Sequence, residues 1–172
     1  EIAYMDVRNA FLKLTRDTLI NGEPHFGLKF IKKRSYEELF TTNEAVASQW
    51  FEALKRCCVL TRFRLHYETI RVLGKGNFAK VFLVERKSDK RQFAVKVFSK
   101  SHIMADESER RCLLYEIHMM REVNFYRVLK LVELYEGENY IYCLCELYPG
   151  TDLLNAIVKK GSQPEPKALA II

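Results

Sequence analysis

The sequence is short of the features that assign a protein quickly. No apolar run in its 172 residues approaches the roughly 20 that a membrane-spanning helix needs, and no secretory signal pattern is visible. Internal repeats and low-complexity tracts are absent, so repeat arrays and tethers find no support. Four histidines (His25, His66, His102 and His118) are scattered and form no metal pair. The five cysteines are odd in number, and neither Cys57-Cys58 nor Cys143-x-Cys145 has the C-x-x-C spacing of a zinc site. Free thiols in a reducing cytosol are the expectation, with metal ligands none. Charge is not blocked: 28 Lys and Arg against 22 Asp and Glu leave +6 spread along the chain, without the basic stripe that a nucleic-acid partner requires. A hydrophobic content of 48% is enough to bury one or two small cores.

Glycine is scarce too, at seven residues, which makes two of them only two positions apart conspicuous. Residues 73–81 read L-G-K-G-N-F-A-K-V. Gly74 and Gly76 permit a tight turn whose backbone N–H groups approach phosphate oxygens that a Cβ would hold away. Residues 80–85 alternate as a strand, residues 88–91 (S-D-K-R) supply a polar turn, and residues 92–98 form a further strand containing Phe93-Ala94-Val95-Lys96. A P-loop would carry its lysine inside the loop, as G-x-x-x-x-G-K-[ST], and a dinucleotide fold would enter a helix after the glycines; neither pattern is present. The order is strand, glycine loop, strand, turn, strand.

Those residues resemble the amino-terminal lobe of a eukaryotic protein kinase, whose signature joins a glycine-rich loop to a V-A-I-K-like strand. The resemblance implies that Gly74 and Gly76 are the first loop glycines, with Lys75, Asn77 and Lys80 completing the loop. Phe78 resembles the aromatic tip that folds over the phosphates, Val81 closes over the adenine, and Lys96 holds the α and β phosphates. Ala79 departs from the pattern, standing in the third glycine position and crowding the loop slightly. The family also implies a glutamate partner for the lysine. Residues 106–123 read as a helix, with Asp106 and Glu109 as a capping box, and Glu116 lies in the apolar neighbourhood of Leu113 and Met120.

Residues 128–136 and 139–146 read as a hairpin around Gly137-Glu138. Residues 144–154 (L-C-E-L-Y-P-G-T-D-L-L) resemble the kinase hinge. By that resemblance Cys145 is the gatekeeper, and the Glu146 carbonyl and Tyr148 N–H read the adenine edge. Leu73, Val81 and Ala94 roof the ring. Asp152 reaches the ribose or caps the helix that begins at Leu153. Residues 161–166 read as a loop and 167–172 as the start of a helix. The implied cofactors are ATP and Mg²⁺, and the implied partner is a protein substrate.

No H-R-D loop and no D-F-G occur, and in this family the substrate-orienting acid and the Mg²⁺ ligands sit in the carboxy-terminal lobe. The chain is therefore expected to be a fragment, opening on Glu1 instead of methionine and incapable of transfer by itself. Its expected division is 1–58, a 59–66 linker, and a truncated kinase domain over 67–172. In the first part, residues 1–15 and 27–40 read as strands about the turn-prone Asn21-Gly22-Glu23-Pro24. Residues 43–57 read as a helix with Val46, Ala47, Trp50, Phe51 and Leu54 on one stripe and a Thr41/Glu44 capping box. The wording A-S-Q-W-F-E-A-L-K-R resembles the closing helix of a pleckstrin-homology domain with its buried tryptophan, which implies a phosphoinositide or protein partner. Lys32-Lys33-Arg34 reads either as a contact to anionic lipid or as a solvated hairpin turn.

The expected fold is α+β: a twisted antiparallel sheet with one main helix, preceded by a partial sheet and its closing helix. The expected parent is a serine/threonine protein kinase, cytoplasmic with peripheral membrane association as the further option, whose first part recruits or restrains it. A pseudokinase and a pure lipid- or protein-binding module remain the alternatives.

Overall fold

A computed structural model describes residues 5–33, 35–76, 79–123, 125–126, 128–150, 152–161, 164–166 and 169. The fold is α+β, built on two antiparallel sheets. The first is a meander of β1 (Phe11–Ile20), β2 (Glu23–Lys32) and β3 (Ser35–Thr41). Its first hairpin turns at Asn21-Gly22, with φ of 53° and 83°, the left-handed pair that a two-residue loop between twisted strands demands. The turn fixes the register Ile20↔Glu23 and draws β1 five residues past the predicted end at Thr15. The predicted strand over 27–40 is really two, broken at the left-handed Lys33 (φ 56°). Lys33 sits in the tight β2–β3 connection, and Arg34 lies outside the described residues.

Helix α1 (Glu44–Leu54) stops three residues short of the predicted Cys57. Its cap is Asn43, whose Oδ1 accepts from the N–H groups of Ala45 and Val46 at 2.9 and 3.3 Å. The predicted Thr41 cap is corrected: Thr41 Oγ1 accepts from the Asn43 N–H instead, at 3.2 Å. Ala47 is buried, and Phe51 and Leu54 pack on the core. Trp50 is 58% exposed, which overturns the buried tryptophan expected of this helix. The helix needs a stripe only wide enough for the three strands beneath it, and Trp50 falls on its rim.

The second sheet is five-stranded, in the order β4 (Tyr67–Lys75), β5 (Ala79–Arg86), β6 (Gln92–Ser99), β8 (Tyr140–Cys145), β7 (Leu131–Glu136). Its strand-to-strand register gives it two unlike faces. Ala79, Val81, Ala94, Lys96, Phe98, Cys143 and Cys145 share one face, covered in part by helix α4 (Glu107–Glu122) through Leu113 and Ile117. Phe82, Val84, Phe93, Val95 and Leu144 share the other, and join a core that includes Leu12, Leu28 and Phe30 of the first sheet. The expected linker contains a short helix, α2 (Phe63–His66), whose Phe63 ring stacks on Tyr67 and Tyr142 at centroid distances of 5.0 and 4.5 Å. A further helix, α3 (Lys100–Ala105), precedes α4, and α5 (Leu153–Lys160) follows the hinge region. Glu165 and Pro166, predicted in a loop, are helical; most of the predicted helix over 167–172 lies outside the described residues. Among the described residues no helix is long and apolar enough to cross a membrane.

Candidate functional site

Lys96 stands on β6 with Val81 and Cys143 directly opposite it on the two neighbouring strands. A lysine placed there faces α4, and its Nζ donates to both carboxylate oxygens of Glu116, at 2.7 and 2.9 Å. The two side chains are 36% and 40% exposed, so the pair is in contact with solvent and its charges remain available to a ligand. Helix α4 holds Glu116 in place by burying Leu113 and Ile117 on either side of it along the chain. The helix starts as the sequence indicates, with the Asp106 carboxylate accepting from the N–H groups of Ser108 and Glu109 at 2.7 and 3.4 Å.

The glycine loop joins β4 to β5, closed by the Gly76 N–H donating to the Ala79 carbonyl at 2.9 Å. A Cβ at Gly74 would meet nothing within 4 Å, and one at Gly76 only that carbonyl, at 3.5 Å. Among the described residues, packing therefore does not require glycine at either position. Gly74 lies opposite Val81, while Leu73 sits at a bulge and is partly exposed. Lys75 and Lys80 pair with each other, and Lys80 also lies opposite Val97, on the sheet face away from Lys96. Those two lysines thus offer the site their backbone and not their ammonium groups. Asn77 and Phe78 lie outside the described residues.

Ala94 lies opposite Cys145, so the gatekeeper candidate and the roof candidate share the Lys96 face. Burial, and then the nearby Glu116 charge, pushes the Cys145 thiol up to about 12, which makes it a small apolar residue here. Glu146 follows the last residue of β8 and accepts from the Tyr148 hydroxyl at 3.1 Å. Asp152 is the α5 cap: its Oδ1 accepts from the Asn155 N–H at 2.8 Å, and that bond holds its carboxyl below the usual range. Of the two roles open to Asp152, the cap is the one formed.

A second polar cluster went unnoticed in the sequence. Glu133 on β7 is 2% exposed, on the face away from Lys96. Its Oε1 lies 2.8 Å from the Lys55 ammonium at the end of α1, and its Oε2 accepts from the hydroxyls of Tyr67 and Tyr135 at 2.7 and 2.8 Å. Burial works against the carboxylate, yet these bonds outweigh it and hold its pKa below the ordinary value. A glutamate inside the apolar run L-V-E-L-Y was the available signal. The cluster floors a cavity of about 1070 Å³ between the first sheet and the second, lined also by Phe51, Arg62 and Arg86.

A glycine turn, a sheet lysine and a helix glutamate in bidentate contact make an arrangement of the protein kinase kind. The chain belongs to the protein kinase family: the family model for the protein kinase domain matches residues 67–172. Calcium-dependent protein kinase 4 of Plasmodium berghei is 32% identical over 110 residues, covering 64% of this chain and 21% of that protein. Calcium/calmodulin-dependent protein kinase type 1 of Caenorhabditis elegans is 36% identical over 110 residues, 63% of this chain and 31% of the relative. Human serine/threonine-protein kinase DCLK3 is 35% identical over 107 residues, 62% and 16% respectively. The chain thus spans less than a third of the length of each of these relatives.

Proposed function

We propose that residues 67–172 are the nucleotide-binding lobe and hinge of an ATP-dependent protein kinase that phosphorylates serine or threonine hydroxyls of proteins. The observation that carries this reading is the bidentate Lys96–Glu116 pair, with Lys96 opposite Val81 and Val81 in turn opposite Gly74 of the glycine turn. Bound ATP would supply the phosphoryl group, with Mg²⁺ neutralising its charge. On this chain, the backbone N–H groups of residues 74–79 cradle phosphate oxygens, and Lys96 holds the α and β phosphates. Glu116 keeps the ammonium aimed, while Leu73, Val81 and Ala94 exclude water from the adenine. The Glu146 carbonyl and Tyr148 N–H give the hinge bonds. The chain contains neither H-R-D nor D-F-G, so binding without transfer is the expected behaviour of these 172 residues.

Titration of Mg²⁺-ATP into the ¹⁵N-labelled chain should shift the amides of Gly74, Gly76, Lys96 and Tyr148, and Lys96→Met should weaken binding. Equal affinity in both proteins, or transfer of the γ-phosphoryl to a peptide by the chain alone, would contradict this assignment of roles.

Residues 1–58 are read as the closing part of a pleckstrin-homology-like unit that recruits the kinase. A three-stranded antiparallel meander followed by a capped helix supports the reading, and the exposed Trp50 speaks against the usual packing of that helix. Co-sedimentation with phosphoinositide vesicles that is lost in Lys32→Ala/Lys33→Ala is the lipid outcome; no difference from plain vesicles leaves a protein partner.

A further inference from the structure

Residues 58–60 belong to neither sheet, yet they join the two. The Leu12 N–H donates to the Val59 carbonyl at 2.9 Å, and the Val59 N–H to the Ala10 carbonyl at 2.8 Å, which pairs Val59 with the β1 edge. The Leu60 N–H donates to the Leu134 carbonyl and the Glu136 N–H to the Leu60 carbonyl, both at 2.8 Å, which pairs Leu60 with the β7 edge. Two free edges are thereby closed by two residues. Neighbouring side chains of an extended segment point opposite ways, and here they enter different cores. Leu60 packs with Phe63, Tyr135 and Leu12 of the first sheet. Val59 packs with Phe98, Ile103, Leu113 and Ile117, beneath the helix that carries Glu116.

The same segment grips that helix by its end. Arg121, in the last turn of α4, donates from Nη2 to the Cys58 carbonyl at 2.9 Å and from Nη1 to the Asn9 side-chain oxygen. Its Nε is buried without a hydrogen-bond partner among the described residues. A guanidinium placed there, with no carboxylate in ion-pair range among the described residues, depends on those two oxygens, both contributed by the first 58 residues.

We infer that residues 58–60 and Arg121 form a clamp by which the amino-terminal sheet positions α4, and through it Glu116, against Lys96. The first sheet thus acts as a regulator of the nucleotide site: seated, it fixes the helix; displaced, it withdraws both the Val59 wedge and the Arg121 acceptors, and frees Glu116 to leave Lys96. The inference rests on the reading of Lys96–Glu116 given above.

The test uses the whole chain, with Arg121→Met, Arg121→Lys, Val59→Ala, Glu116→Gln and, as a comparator that strains the first sheet away from the clamp, Gly27→Ala. Amide hydrogen exchange in α4 and the rate at which a small amine-reactive ester acylates Lys96 are read by mass spectrometry. Losing two charge-assisted bonds in Arg121→Met should lower α4 protection about tenfold. Lys96 should then be acylated several-fold faster, toward its rate in Glu116→Gln, with Arg121→Lys and Val59→Ala intermediate. Gly27→Ala, which destabilises the whole chain, should leave Lys96 acylation near wild type and α4 exchange no faster than its global destabilisation accounts for. Unchanged α4 exchange in Arg121→Met and Val59→Ala, or an equal gain in Lys96 acylation in Gly27→Ala, would overturn the clamp. Glu116→Gln without effect on Lys96 would instead sink the Lys96–Glu116 pairing, while α4 exchange still decides the clamp.

Discussion

Lys55→Met is the most informative single change to the seam between the two sheets. Methionine keeps the length and the apolar stem of lysine and removes only its charge. The side chains of Lys55 and Glu133 are 15% and 3% exposed, and their charged atoms are 2.8 Å apart. Removing one member of a buried pair costs about 3–5 kcal/mol, because the other charge is left in a medium that cannot solvate it. The Tyr67 and Tyr135 hydroxyls still bond the orphaned carboxylate, so the lower end, about 3 kcal/mol at pH 7, is expected.

The sign of the pH dependence follows from the two pKa directions. In the wild type the Glu133 pKa is depressed, so its contribution is present above the unfolded value and is lost as pH falls through the folded value. In Lys55→Met, burial without the ammonium raises it, so the penalty is full at neutral pH and fades as the carboxyl takes up a proton. The stability gap should therefore begin to close as pH falls from 7 and close fully only below the ordinary carboxylate value of about 4.3, where wild-type Glu133 also takes up its proton. Urea unfolding followed by far-UV circular dichroism at several pH values reads the gap directly. Adding Glu133→Gln should recover much of the loss at pH 7, a coupling that a double-mutant cycle isolates. A gap independent of pH, or additive losses in the double variant, would show that the seam rests on packing and not on this pair.

Gly27→Ala should destabilise by about 1–3 kcal/mol in thermal unfolding, since its Cβ would lie 2.9 Å from the Phe40 ring and against the buried Thr15 hydroxyl. Asn43→Ala removes a helix cap and should cost about 1 kcal/mol, with Asn43→Gly costing less. A maleimide at pH 7.5 should modify the exposed Cys57 and Cys112 and leave Cys58, Cys143 and Cys145 intact until urea is added. Burial pushes the Cys58 thiol up to about 11 and the Cys145 thiol up to about 12, so early labelling of either would contradict their packing.

What was legible in the sequence was local. The alternation of residues 80–85, the turn at 88–91 and the Asp106 cap all follow from neighbouring residues, and the Lys96–Glu116 contact follows once strand and helix are placed. Boundaries failed where tertiary pairing sets them. Strand β1 runs on past Thr15 because the Asn21-Gly22 hairpin pairs residues 18–20 with 23–25, the polar residues between Thr15 and Thr18 absorbing a one-residue register shift, and not because its pattern calls for it. Trp50 looked like core since a stripe on a helix does not reveal how wide a surface lies beneath it. Residues 58–60 carried no signal, because their partners lie at Ala10, Leu12, Leu134 and Glu136, and pairing across such separations leaves no period along the chain. Asp152 reads in the sequence as a cap or as a ribose contact, and the cap shows only once α5 places the Asn155 N–H against its carboxylate.

The central claim, that Lys96 faces the phosphates of a nucleotide held by the glycine loop, is tested most directly by an ATP derivative bearing an acyl group on its γ-phosphate. Such a reagent acylates an amine near the bound phosphates and releases ATP. Mass spectrometry should find Lys96 modified well ahead of Lys75, Lys80 and Lys100, with the labelling suppressed by excess Mg²⁺-ATP. Labelling spread evenly over the lysines, or labelling of Lys96 that ATP does not suppress, would contradict it.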